Sequence, residues 1–151
     1  MNNPDLRRAL EKIVSPRILV VGDLMLDHYS WGEVDRISPE APIPVMRVLR
    51  EEQRLGGAGN VVMNLSMLGA EVLVCGVTGK DETGNTIRKL LAQNGVDYSG
   101  VIVAENYKSC LKHRMIAGQT HLLRMDIDPD PEKLVPQKQL TDYLEQTIPK
   151  S

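Results

Sequence analysis

Phenylalanine is absent from these 151 residues, and the whole aromatic complement is four Tyr and one Trp. A hydrophobic core must therefore be built from Val, Leu, Ile, Met and Ala. The same scarcity argues against single-stranded nucleic-acid binding, which relies on several stacking platforms. An excess of one charge is lacking too: 18 Lys and Arg stand against 20 Asp and Glu, a formal charge of −2. Neither a basic nucleic-acid surface nor an acidic solvating tail is implied. Cysteine is limited to Cys75 and Cys110, too few for a disulfide framework and too far apart for a CxxC pair. A reducing, cytoplasmic setting is the expectation. Long apolar runs are missing; residues 18–21 are typical, against the roughly 20 residues that a membrane helix needs. The opening MNNPDLRRALEKIV is charged throughout and has no apolar stretch of the secretory type. No membrane partner is expected.

Several catalytic signatures are also missing. There is no GxSxG elbow, and neither cysteine has an activating neighbour in sequence. His28, His113 and His121 lack metal-ligand spacing, so no metal site is expected. Gly79-Lys80 is followed by Asp81 rather than Ser or Thr, which excludes a Walker A loop and reads as a strand exit and helix cap. In Gly56-Gly57-Ala58-Gly59-Asn60, a dinucleotide fingerprint would need Gly or Ala at position 62, which is Val62.

What is present has an α/β rhythm. Residues 4–14 predict a short amphipathic helix, and RILVVGD, 17–23, a strand buried on both faces of a parallel sheet. From Tyr29 to Leu49, prolines 39, 42 and 44 exclude a long helix, and alternating residues predict two exposed strands joined by ISPEAPIP. LGGAGN is a glycine turn leading into a helix over 61–69. A strand over 71–79, a helix over 81–95 and a strand over 96–103 follow. Residues 108–128 predict a hairpin around Ala117-Gly118, and a last helix covers 136–148.

Four places carry candidate chemistry. Asp23 and Asp27 lie at the end of the first strand, where open α/β sheets bind ligands, and ionised carboxylates accept hydrogen bonds from sugar hydroxyls. Asp23 equally fits a turn or helix cap. Gly56 and Gly57 allow close approach of backbone to a ligand, and Asn60 offers both donor and acceptor. Lys112 and Arg114 project from one strand face and could hold a phosphate, although a solvated charged face is the commoner explanation of such a pair. Arg124 and Asp126 on the next strand could pair with them or with each other.

The succession GDLMLD, RISPEAPIPV, LGGAGNVVMNLSMLGAEV, GVTGKDETG and KHRMIAGQTHLLRMD resembles the ribokinase-like (PfkB) carbohydrate kinases. It is most similar to their heptose 7-phosphate kinase branch, including the kinase half of bifunctional heptose kinase/adenylyltransferases. The resemblance implies an α/β sandwich with a mainly parallel sheet and a small β lid, truncated before the ATP-binding half. The 151 residues would form one partial domain, with core segments 15–28 and 50–107, lid strands about 29–49 and hairpin 108–128. By the same resemblance Asp27, Gly56, Gly57 and Asn60 would bind the sugar, with Asp23 beside them, and Lys112 and Arg114 would hold its phosphate. The function implied is transfer of the ATP γ-phosphate to the anomeric hydroxyl of D-glycero-D-manno-heptose 7-phosphate, on the way to the lipopolysaccharide core precursor ADP-heptose. ATP and Mg²⁺ would bind mostly in a C-terminal half, whose Gly-Ala-Gly-Asp loop carries the catalytic Asp. That loop has no counterpart here, since the only Gly-Asp pair is Gly22-Asp23. The chain alone is therefore expected to be inactive, and a homodimer through the lid is implied. A non-catalytic remnant or dimerisation module of that family is the alternative.

Overall fold

The computed structural model describes residues 16–130 and 135–148. The helix expected over residues 4–14 lies outside them. In chain order the elements are β1 (Arg17–Val21), β2 (Leu24–Ile37), β3 (Pro44–Gly57), α1 (Ala58–Met67), β4 (Glu71–Gly79), α2 (Glu82–Gln93), β5 (Asp97–Ala104), β6 (Cys110–Ala117), β7 (Thr120–Ile127) and α3 (Gln137–Thr147).

They form two sheets. The body sheet has the order β1-β4-β5 with every pairing parallel, and the helices provide its crossovers. The lid sheet has the order β3-β2-β6-β7 and is mixed, with β2 and β6 parallel at its centre. This is the expected ribokinase-like α/β arrangement, although the lid has four strands against the body's three.

Composition explains the placement of the core. Central β4 is buried along nearly its whole length because its sequence, EVLVCGVTG, is apolar on both sides of the pleat. Val62 of α1, Val74 of β4, and Ile87 and Leu91 of α2 are completely buried, and Leu24, Leu26 and Leu55 of the lid strands join them. Each such side chain contributes about 1.5–3 kcal/mol on leaving water. No aromatic residue belongs to this cluster.

Four expectations need correction. Asp27 lies not at the end of β1 but within β2, because the chain re-enters a strand at Leu24. β1 is not buried on both faces: it pairs with β4 on one side only, is half-buried, and leaves Val21 55% exposed. α1 starts at Ala58 rather than Val61, because Gly57 has φ +56° and turns the chain directly into the helix. The two lid strands run on well past Tyr29 and Leu49. β2 begins at Leu24 and β3 continues to Gly57, fully in register from Leu24↔Gly57 to Trp31↔Arg50. The stretch Arg50-Glu51-Glu52-Gln53-Arg54 contains no apolar residue, so it lacked a strand signature in sequence, yet it is ladder-paired throughout.

The punctuation fits more closely. Gly69 and Gly95 follow α1 and α2 with φ of 88° and 67°, as helix-terminating glycines do. Asp81 caps α2, its side chain accepting from Gly84 N–H at 2.7 Å. Gly118, with φ 58°, turns the β6–β7 hairpin.

Candidate functional site

Strand alternation divides the lid sheet into two chemically distinct faces. On one face β2 presents Asp27, Tyr29 and Trp31, its partner β3 presents Arg54, Glu52 and Arg50, and β6 presents Lys112 and Arg114. This face is ionic. Arg114 donates to Asp27 Oδ1 at 2.5 Å, with both side chains about four-fifths buried. Lys112 donates to Asp126 at 3.3 Å and lies 3.8 Å from Asp128. Arg124 donates to Asp126 at 2.9 Å, and Arg54 pairs with Glu52.

The aromatic residues of the lid are threaded through these charges. Tyr29 and Trp31 stack at 5.4 Å between ring centroids. Arg50 lies 3.8 Å over the Trp31 ring, and Arg54 and Arg114 lie 5.4 and 5.1 Å over Tyr29. Tyr29, Arg50 and Arg54 were not singled out from sequence. The available signal was the alternation Arg50, Glu52, Arg54, which places three charges on one face once residues 50–54 are recognised as a strand.

Electrostatics follow from these partners. The Asp27 hydrogen bond raises the Arg114 guanidinium above its ordinary value, with burial opposing it. The Asp126 hydrogen bond does the same for Lys112. Asp126 in turn is lowered, first by Arg124 and then, against burial, by Lys112. All three groups are held firmly in their charged forms.

Gly56 and Gly57 border the same face. Gly56 pairs with Met25, and a Cβ at Gly56 would lie 2.6 Å from Asp27 Oδ2. The missing side chain leaves the carboxylate room. At Gly57 a Cβ would stand 2.5 Å from the Asp23 carbonyl oxygen, which accepts Ala58 N–H at 2.9 Å. Asp23 thus fixes the start of α1 through its backbone.

The structure therefore brings together Asp27, Gly56, Lys112 and Arg114, with Gly57 adjoining. Two other candidates line different cavities. Asp23 lines a cavity of about 220 Å³ at the end of β1 and beside the middle of β4, with Val21, Cys75, Val77, Tyr107 and Leu140. Asn60, in the first turn of α1, lines a cavity of about 290 Å³ between α1 and α2, with Arg54, Met63 and Leu90. Asp27 and Lys112 are not among the walls of either cavity.

Both cysteines are free and buried. Burial raises Cys75, and burial together with Asp128 pushes Cys110 up to about 11. No described helix is long and apolar enough to cross a membrane.

Comparison with known proteins matches the sequence and fold to a family. The chain is 50% identical over 122 residues to the D-beta-D-heptose 7-phosphate kinase of Bordetella bronchiseptica, covering 81% of this chain and 39% of that protein. It is 45% identical over 126 residues to the bifunctional protein HldE of Citrifermentans bemidjiense, covering 83% of this chain and 26% of that protein. The chain thus spans well under half the length of these relatives. In fold it is similar to the crystal structure of a putative ribokinase from Agrobacterium tumefaciens, with a TM-score of 0.63 at 23% identity over 83% of this chain and 42% of that one. The family model for pfkB family carbohydrate kinases matches residues 15–146, so the chain belongs to that family.

Proposed function

We propose that this chain is the sugar-binding and lid portion of a heptose 7-phosphate kinase. The complete enzyme would transfer the ATP γ-phosphate to the anomeric hydroxyl of D-glycero-D-manno-heptose 7-phosphate. The observation that carries the reading is the Asp27–Arg114 pair, closed at 2.5 Å beside the side-chain-free Gly56. An ionised carboxylate accepts from a sugar diol, and a guanidinium offers a planar fork to phosphate oxygens. The surrounding face carries five cations, Arg50, Arg54, Lys112, Arg114 and Arg124, against four carboxylates, Asp27, Glu52, Asp126 and Asp128. A sugar phosphate would draw Arg114 and Lys112 away from Asp27 and Asp126, freeing Asp27 for hydroxyls. The names of the Bordetella and Citrifermentans relatives support the choice of a heptose 7-phosphate.

The cavity beside Asp23 does not fit a nucleotide and its metal: its wall offers one carboxylate among mostly apolar side chains, with no cation to meet a triphosphate. ATP and Mg²⁺, which the family implies, are accordingly assigned to parts of the longer kinase, and this chain alone is expected to transfer no phosphate. The same proposal includes a cytoplasmic location and a homodimer formed through the lid.

Calorimetric titration of the chain with D-glycero-D-manno-heptose 7-phosphate tests the reading. Saturable heat is expected, with affinity falling at least about tenfold in Asp27→Asn and in Arg114→Ala, since each removes a charge-assisted hydrogen bond. Equal affinity in both variants would reject the site. Asn60→Ala decides whether Asn60 also reaches the sugar: a loss of heat brings it in, and unchanged heat leaves it in the groove between the helices.

A further inference from the structure

The opposite face of the lid carries a second cluster. In the parallel pairing of β2 and β6, His28 is the direct partner of His113, and in the antiparallel pairing of β2 and β3, Ser30 is the partner of Glu51. Their side chains share a face because all lie an odd number of residues from Asp27 and its partners. The two imidazoles are stacked, 4.2 Å between centroids and 4° from parallel. His28 Nε2 lies 3.2 Å from Glu51 Oε1. Ser30 Oγ lies 2.7 Å from His113 Nε2 and donates to the same Glu51 oxygen at 3.0 Å. One ligand atom each from His28, Glu51 and His113 falls within 4.8 Å of the other two.

We propose that His28, Glu51 and His113 form a site for a divalent cation of the zinc, cobalt or nickel class. The donor set is two imidazole nitrogens and one carboxylate oxygen, which suits these borderline metals and not the all-oxygen preference of Mg²⁺ or Ca²⁺. Three protein ligands leave a fourth tetrahedral position for water. With metal–ligand bonds of about 2.0–2.1 Å, tetrahedral ligand atoms stand roughly 3.4 Å apart, so the stacked rings must swing out of parallel about their side-chain torsions for their nitrogens to converge on the ion. The rings project from adjacent strands whose backbones are fixed by ladder pairing, and Ser30, only 1% exposed, is hydrogen-bonded to His113 Nε2. Glu51 is the exposed member, with 56% of its side chain accessible, and gives the ion a way in. A bound cation would tie β3, β2 and β6 together, three of the four lid strands. Sequence spacing could not reveal this set, because the ligands come from three separate strands and converge only through register.

The test is titration of the chelator-stripped chain with Zn²⁺, and separately with Co²⁺, followed by calorimetry, absorption and melting temperature. One equivalent is expected, with a rise in melting temperature that grows with free metal. Co²⁺ should show the intense visible bands of a four-coordinate site without thiolate charge transfer. His113→Leu and Glu51→Gln should each lower affinity at least about tenfold, while His121→Gln leaves it unchanged. Glu51 is exposed, so its variant keeps the test valid if His113→Leu misfolds. Equal binding by wild type and Glu51→Gln, thiolate bands that implicate Cys75 or Cys110, or no binding at all would each overturn the proposal.

Discussion

A methyl group is a different burden at different glycines of this chain. Gly57 and Gly95 both have positive φ, 56° and 67°. Positive φ costs alanine about 1–2 kcal/mol in the left-handed helical well through its clash with the backbone, and Gly57, with ψ −131°, lies outside that well. At Gly95 nothing lies within 4 Å of the added Cβ, so that strain is the whole cost. At Gly57 the Cβ would meet the Asp23 carbonyl oxygen at 2.5 Å and the Met25 side chain at 2.9 Å, adding overpacking of about 1–3 kcal/mol. Gly57→Ala is therefore expected to lower the urea midpoint about twice as far as Gly95→Ala, with m unchanged. Equal shifts would show that the β3–α1 turn relaxes freely. The candidate site was legible at this scale only in part. Asp27 stands out at a strand tip and Lys112 and Arg114 by strand alternation, with their ligand roles implied by the family resemblance, whereas the coupling of Arg114 to Asp27 needs the parallel register of strands 87 residues apart. The stacked His28 and His113 were passed over for the same reason.

Elements with strong local signals were readable, and those without were not. α2 has an Asp at its start, apolar residues at helical spacing and a glycine just beyond its end, and sequence alone delimits it closely. β3 instead acquires strand structure from pairing with β2, so residues 50–54 read as a connector until that partner is known. The cap of α2 leads to a pH prediction. Burial pushes Asp81 upward, but hydrogen bonds from Ser109 N–H at 2.9 Å and Gly84 N–H outweigh it and leave its carboxyl below the ordinary range. A lowered folded value means that this contribution is complete above the unfolded aspartate value of about 3.9 and is lost as pH falls through the folded value. Asp81→Ala is expected to cost about 1–2 kcal/mol at pH 7. Its deficit relative to wild type should shrink in urea titrations carried below about pH 4. A deficit constant from pH 7 to pH 2.5 would show that the charge on Asp81 contributes nothing.

At the scale of the whole molecule, the two faces of the lid differ most along its β7 edge. One carries Asp27, Arg114, Lys112 and Asp126 in ion pairs. On the other, the β7 residues Leu123, Met125 and Ile127 pair across from Met115, His113 and Leu111 and are 56%, 42% and 36% exposed. Among the described residues β7 pairs on one side only, with β6, and every residue in it is solvent-accessible. An edge strand with an apolar row and free backbone groups invites pairing with another sheet. The charged face resists such pairing because burial would strip its ions of water. Self-association is therefore expected through β7 and the apolar row, leaving the Asp27–Arg114 face open to a small anionic ligand. Light scattering across a concentration series should show the wild-type chain as a dimer or larger species. Leu123→Lys, which places a charge in the middle of the row, should shift it toward monomer with secondary structure intact. An equivalent change on the ionic face, Arg124→Glu, should leave the mass unchanged. If Arg124→Glu rather than Leu123→Lys dissociates the assembly, the ionic face is the interface, and a sugar phosphate would have to compete with the partner chain for Arg114.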